Sequence, residues 1–175
     1  MLRLFVGIAL SPELKLALSR LAIGLPGARW VDPGNYHLTL RFIGEVDEGM
    51  ASDIDAALTR VRAKRFALTL AGIDSFNARS LFVGVERNPD LVHLQEKAES
   101  ALARSGIEPE GRRFAPHVTL ARLKGKPDAK LGQFLAAHAL FRAAPFDVAQ
   151  FQLVASYLTK SGAIYEDQAE YALEE

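Results

Sequence analysis

The chain has 175 residues, 49% of them hydrophobic, so it can bury one core and carries no long polar tract typical of disorder. Its 21 basic and 21 acidic side chains give no net charge, which argues against a broad nucleic-acid-binding or membrane-binding surface. It contains no cysteine, which excludes disulfide frameworks, thiol nucleophiles and cysteine-ligated metal sites and favours a reducing compartment.

The first half of the sequence predicts a strand, a helix, a second strand, a second helix and a short closing strand. Ser11 and Pro12 are suited to the start of the first helix, and Gly24 is suited to its end. Apolar residues at helical spacing mark the second helix. The landmarks of these five elements are Phe5–Ile8, Ser11–Gly24, His37–Leu40, Met50–Val61 and Phe66–Leu68.

The second half repeats this order. Its landmarks follow those of the first half by 77 residues at the first strand and by 80 residues at the later strands. They are Phe82–Val85, Asn88–Gly106, His117–Leu120, Leu131–Leu135 and Phe146–Val148. The tail from Phe151 to Leu173 predicts further strands around a turn at Lys160–Gly162.

The repeat predicts an α+β fold of two similar lobes related by a pseudo-two-fold axis, each an antiparallel sheet with helices on its outer face. We place the first lobe at residues 3–72, the second at 79–155 and the tail strands at 156–173, within one bilobal domain of residues 1–175. The uncovered sheet faces would then meet across a cleft, which is a common position for a ligand.

No segment of the sequence predicts a signal peptide or a membrane span. The apolar N-terminal segment reaches a helix start at Ser11 too soon for a signal peptide, and no later segment approaches membrane-spanning length. We therefore expect a cytoplasmic protein without a membrane partner, acting as a monomer.

A His-x-Thr motif occurs twice, at His37 and Thr39 and again at His117 and Thr119. Residues two apart on a strand share a face, so each copy presents an imidazole and a hydroxyl together. One copy alone is more simply explained by a core histidine and a strand-forming threonine. Packing alone, however, does not explain why both the histidine and the threonine recur at the same sequence offset as the surrounding strands. The recurrence therefore indicates a functional pair.

Two histidines in one cleft can act as acid and base at neutral pH, which suits displacement at phosphorus. Thr39 and Thr119 would hold phosphate oxygens, and the Arg122 guanidinium would offset their charge. A dinuclear metal site is the natural competitor, but neither strand carries an Asp or Glu on its His-Thr face. We expect no metal or other cofactor, and structural roles for the two remaining histidines, His93 and His138.

The two copies differ immediately after the motif, with Arg41 and Phe42 in the first and Ala121 and Arg122 in the second. We expect this difference to decide which histidine is acid and which is base. Arg122 lies five residues past His117, so strict alternation would place it on the opposite face. The strand must therefore end, twist or bulge near Ala121, or the side chain must wrap around the edge.

The motifs and their flanks resemble the two-histidine phosphoesterase superfamily, and within it the RNA 2',3'-cyclic phosphodiesterases once described as 2'-5' RNA ligases. The segments that carry the resemblance are Arg3–Ile8, Trp30–Val31, His37–Val46 and Phe114–Arg122.

The resemblance implies metal-independent hydrolysis of a ribose 2',3'-cyclic phosphate, on RNA ends or nucleotides, to a 2'-phosphomonoester. It implies that His37 protonates the departing 3' oxygen and that His117 positions and deprotonates water. Thr39, Thr119 and Arg122 would bind the phosphate, and Phe42 would line the nucleoside site. Tyr165 is a weaker candidate for the cleft, since a buried aromatic residue on a tail strand explains it equally well.

Other functions remain open at this point. The same histidines would serve a 2'-5' phosphodiesterase, an enzyme acting on ADP-ribose cyclic phosphate, or an RNA 2'-5' ligase. A non-catalytic module that binds RNA ends or nucleotides is a further alternative, in which the histidines only ligate phosphate.

Overall fold

The computed structural model describes residues 1–175 as ten strands and four α-helices. The helices are α1 (Pro12–Ser19), α2 (Glu48–Thr59), α3 (Pro89–Arg104) and α4 (Ala129–Ala137). The strands are β1 (Leu2–Ala9), β2 (Arg29–Trp30), β3 (His37–Val46), β4 (Phe66–Leu68), β5 (Leu70–Phe76), β6 (Ser80–Val85), β7 (His117–Arg122), β8 (Phe146–Val148), β9 (Gln150–Thr159) and β10 (Gly162–Ala172).

Short polar side chains start all four helices, because each accepts a hydrogen bond from a backbone N–H of the first turn. These N-cap residues are Ser11, Asp47, Asn88 and Asp128. The predicted starts at Ser11 and Asn88 are thus confirmed. The first helix is shorter than predicted and ends at Ser19, because the chain then tightens into turns closed by hydrogen bonds such as Leu21 N–H to the Leu18 carbonyl.

Two antiparallel four-stranded sheets form the two lobes, with strand orders β10-β9-β1-β3 and β2-β7-β6-β5. Helices cover the outer faces, as the apolar stripes predict; α2 buries Ile54 and Leu58, and α3 buries Leu91 and Leu94 among others. None of the four helices is both long and apolar enough to span a membrane.

The strands of each sheet do not all come from the sequence range predicted for its lobe. Strand β5 straddles the expected end of the first lobe at residue 72 yet belongs to the second sheet, and β9 pairs with β1 in the first. A tight turn at residues 77–79 explains the first exchange, since it joins β5 to β6 as a hairpin. The first half of the chain thus gives β5 to the second sheet, and the second half gives β9 to the first.

The short strands β4 and β8, equivalent in the repeat, pair with each other. Phe66 lies opposite Val148, and Leu68 lies opposite Phe146. Two equivalent strands that pair antiparallel about a central residue pair, here Ala67 and Asp147, are related by a two-fold rotation. The pseudo-two-fold axis predicted from the repeat therefore passes through this pair. A single cluster of 39 buried residues runs through both lobes, so they share one core.

Candidate active site

All six residues predicted for the site line one cavity of about 420 Å³ between the sheets. Each lobe contributes three residues of its His-Thr strand, and these three positions are equivalent in the two repeats. The residues are His37, Thr39 and Phe42 from β3 and His117, Thr119 and Arg122 from β7. Tyr165 of β10 also lines the cavity, as do Arg3 and Phe5 of β1.

A β-bulge in β7 brings Arg122 to the cavity. Thr119 lies opposite Phe82 and Ala121 lies opposite Leu81, so Leu120 has no partner on β6. The extra residue shifts the alternation by one, so Leu120 and Ala121 are both buried and Arg122 returns to the face of His117. Of the alternatives expected near Ala121, the structure therefore shows the bulge.

Strand β3 has the equivalent bulge. Thr39 lies opposite Gly7 and Arg41 lies opposite Val6, which leaves Leu40 without a partner on β1. Leu40 and Arg41 are both buried as a result, and Phe42 joins the face of His37. The same irregularity at the same point of both repeats therefore places the residue five positions after each histidine in the cavity.

The two imidazoles are oriented by identical backbone contacts. His37 Nδ1 lies 2.8 Å from the Asn35 carbonyl oxygen, and His117 Nδ1 lies 2.7 Å from the Ala115 carbonyl oxygen. A carbonyl oxygen can only accept, so Nδ1–H is the donor on both rings. Nε2 is therefore the nitrogen that gains or loses a proton on each histidine.

His37 is the more enclosed of the two histidines. Its ring stacks on Phe5 with a centroid distance of 4.5 Å and meets Tyr165 edge-on at 5.0 Å. Burial lowers the pKa of His37, the Asn35 carbonyl opposes this shift, and the nearby positive charges of His117 and Lys15 lower the pKa further. The neutral ring is therefore favoured, and its Nε2 accepts from the Thr39 hydroxyl at 2.9 Å.

The repeated Phe-Val-Gly strand supports the histidine of its own lobe, a role that the sequence analysis did not assign. Phe5 stacks on His37, and its equivalent Phe82 meets His117 at 5.4 Å. The glycine allows the neighbouring strand to approach closely. A Cβ atom on Gly7 would lie 3.0 Å from the Leu38 carbonyl oxygen, and one on Gly84 would lie 3.0 Å from the Ala71 carbonyl oxygen.

Arg3 is a second cavity arginine that the sequence analysis missed. Its guanidinium lies 5.1 Å from the centre of the Phe42 ring. Burial raises the pKa of Tyr165, and the positive charges of Arg122 and Arg3 oppose this rise. Arg3 shares a strand face with Phe5, two residues away, and that alternation is the signal that could have found it.

The cavity wall suits an anion. It presents two imidazoles, two guanidiniums and two threonine hydroxyls, and no carboxylate side chain lines it. No group of three or more potential metal-ligating side chains occurs in the chain. His93 is exposed on α3 and His138 packs against Phe134 at 4.4 Å, so both lie outside the cavity, as predicted.

Comparison with known protein families finds the repeat independently. The family model described as "LigT like Phosphoesterase" matches the chain twice, at residues 8–82 and 83–165. Each match contains one His-Thr strand, so the family model recognises both halves.

Two similar proteins carry the name RNA 2',3'-cyclic phosphodiesterase. The protein from Aeropyrum pernix is 36% identical over 148 residues, covering 81% of this chain and 84% of the relative. The protein from Thermotoga maritima is 34% identical over 174 residues, covering 94% of this chain and 91% of the relative.

Solved structures show the same fold. E. coli LigT complexed with 3'-AMP matches with a TM-score of 0.84 and 28% identity, covering 99% of both chains. E. coli LigT complexed with phosphate matches with a TM-score of 0.81 and 25% identity, covering 99% of this chain and 98% of that chain.

Proposed function

The chain belongs to the LigT-like phosphoesterase family, and from this membership we propose that it hydrolyses ribose 2',3'-cyclic phosphates to 2'-phosphomonoesters. The observation that carries the proposal is the convergence of both His-Thr pairs and two arginines on one cavity without a carboxylate. The names of the relatives and the 3'-AMP complex of LigT support a ribonucleotide substrate.

In the proposed reaction, water attacks phosphorus on the side opposite the 3' oxygen. His117 Nε2 takes a proton from the water as the new P–O bond forms. The bond between phosphorus and the 3' oxygen breaks, and His37 Nε2 gives its proton to that oxygen. The product carries a 2'-phosphate and a free 3'-hydroxyl, and proton exchange with solvent returns both imidazoles to their starting states.

The other cavity side chains stabilise the charge on the phosphate. The Thr39 and Thr119 hydroxyls donate to non-bridging oxygens, and the Arg122 guanidinium offsets the negative charge that grows on those oxygens during attack. Arg3 adds a second positive charge on the Phe42 side, where the nucleoside lies. These groups are in place before substrate arrives, so their orientation costs little at the moment of reaction.

Substrate binding also prepares His37 for its role as acid. Burial lowers the pKa of His37, which favours the neutral ring, whereas a general acid must carry a proton. A phosphate anion bound nearby favours the charged form of the imidazole and raises the pKa again. The anionic substrate thus promotes protonation of the group that its own cleavage requires.

The test is incubation with nucleoside 2',3'-cyclic phosphates in excess chelator, with the product position assigned by phosphorus NMR. We expect a 2'-phosphate and no 3'-phosphate. Binding without turnover would favour a non-catalytic nucleotide-binding module, and turnover abolished by the chelator would contradict the metal-independent mechanism. Including 2'-5'-linked dinucleotides and ADP-ribose cyclic phosphate in the panel distinguishes the alternative phosphodiesterase substrates.

We also propose that the chain acts as a monomer on cytoplasmic RNA ends. One chain supplies every residue that lines the cavity, so no second copy is needed to complete the site. The absence of cysteine suits a reducing compartment. Size-exclusion chromatography with light scattering, at the protein concentration of the activity assay, tests the monomeric state.

A further inference from the structure

A second cavity of about 540 Å³ adjoins the catalytic one. Thr39, Phe42 and His117 belong to the walls of both cavities, so a ligand can pass from one to the other beside these side chains. The second cavity lies between β3, the turn after β5, α3 and residues 110–115. We call it the upstream groove.

We propose that the upstream groove binds the nucleotide that precedes the one carrying the cyclic phosphate, so that the preferred substrate is an oligoribonucleotide. This inference rests on the proposed function. A ribose whose 2' and 3' oxygens are both held in the cyclic phosphate continues into RNA only through its 5' oxygen. The preceding nucleotide must therefore leave the catalytic cavity, and the upstream groove offers it a continuous path.

Gln95 is an unpartnered polar side chain at the wall of this groove. It lies on the buried face of α3, only 9% exposed, between Leu91 and Ala98. The side chain lines the groove, and its amide oxygen and nitrogen are not buried against the protein. The carboxamide therefore faces the groove and is available to a ligand. A carboxamide both donates and accepts, and the edge of a nucleobase offers a matching donor and acceptor pair.

The groove carries excess positive charge. Its carboxylate, Glu110, lies 3.9 Å from the Arg41 guanidinium and 3.4 Å from that of Arg112, so its charge is offset within the protein. Arg113 also lines the groove and forms no ion pair. Its guanidinium is therefore available to the phosphate that joins two nucleotides.

Aromatic side chains flank these polar groups. Phe42 and Phe76 are 45% and 42% exposed, which is unusual for phenylalanine, and both line the groove. Phe76 is also fixed by stacking on Phe82 at 4.3 Å. Exposed, rigid aromatic rings beside a free guanidinium are the features on which single-stranded nucleic acids bind through base stacking.

The test compares kcat/KM for a dinucleotide ending in a 2',3'-cyclic phosphate with that for the corresponding mononucleotide carrying a 5'-phosphate methyl ester. The methyl ester is a phosphodiester and carries the same single negative charge as the linkage, so the comparison isolates the additional nucleoside. We expect the dinucleotide to be preferred by about tenfold, in line with the contribution of one stacked base. The variants Gln95→Leu and Arg113→Gln should each lower this preference several-fold. The control is Arg87→Gln, an exposed arginine that lines neither cavity and should leave the preference unchanged.

Equal kcat/KM for both substrates, or a preference that neither variant changes, would overturn the inference. Because Gln95 is buried, circular dichroism checks that its variant is folded, and the exposed Arg113 provides the second variant. Absence of turnover on both substrates contradicts the proposed function instead. In that case calorimetric affinities for the dinucleotide and mononucleotide 2'-phosphates test the groove, since the same preference and the same loss in the variants are expected.

Discussion

Arg41 of β3 and Glu99 of α3 form a partly buried ion pair, in which Arg41 Nη1 lies 2.8 Å from both carboxylate oxygens. Arg41 Nη2 donates to the Glu108 carbonyl at 2.6 Å. One side chain of the first repeat thus ties α3 and the segment leading to His117 to the first sheet. Arg41 itself does not line the catalytic cavity, because the bulge after Thr39 turns it away. Phe42 and Arg122 remain as the difference between the two lobes.

Replacement of Arg41 by methionine should lower the free energy of unfolding by about 3 kcal/mol, because it leaves the partly buried Glu99 charge without a partner. Urea denaturation measures this loss. Replacing the exposed Arg142, which pairs with Glu86 on the surface, by glutamine should change stability little. The double variant Arg41→Met, Glu99→Met should regain part of the lost stability, since it removes both charges. A single variant as stable as the double one would contradict this interpretation.

Replacement of either His37 or His117 by alanine should reduce kcat by about 10²- to 10⁴-fold, because each removes one proton-transfer group. Kinetics on a nucleoside 2',3'-cyclic phosphate measure the loss, and circular dichroism checks the fold. His93→Ala is the matched control, since His93 is exposed on α3 and lines neither cavity. An active variant at either cavity histidine would refute the two-histidine mechanism.

The site was largely predictable because two regularities determine it. Period-two alternation places His37 beside Thr39, and the repeat brings in His117 and Thr119. Arg3 was not predicted as a site residue because its equivalent in the second half is Ser80, so the repeat gives no signal at this position. The exchange of β5 and β9 between the two sheets was not predicted either. Apolar patterns show which face of β5 or β9 is buried, but not which strand lies beside it.

Replacement of Lys15 by glutamine should raise the pKa of His37, because the lysine charge disfavours the protonated ring. The pKa should remain below the usual value for histidine, since burial is the larger cause of the shift. Proton NMR titration of the imidazole measures the change, and the limb of the pH–kcat/KM profile set by His37 should move to higher pH. Lys130→Gln, on the exposed surface of α4, serves as the charge-matched control. A pKa that falls, or stays the same, would contradict the assignment.

Replacement of Gly7 by alanine should cost about 1–3 kcal/mol of stability and also lower activity. The added Cβ would lie 3.0 Å from the Leu38 carbonyl oxygen and 3.3 Å from the Phe5 ring, so β3 or the ring that stacks on His37 must move. Gly132→Ala is the control, and its expected effect on stability has the opposite sign. Gly132 lies within α4 with open space around it, so alanine there should raise stability by about 0.5–1 kcal/mol and leave kcat/KM unchanged. Thermal unfolding and cyclic phosphate hydrolysis measure both effects on each variant. A Gly7→Ala protein with the stability and activity of the original chain would show that the close approach of β1 and β3 does not position His37.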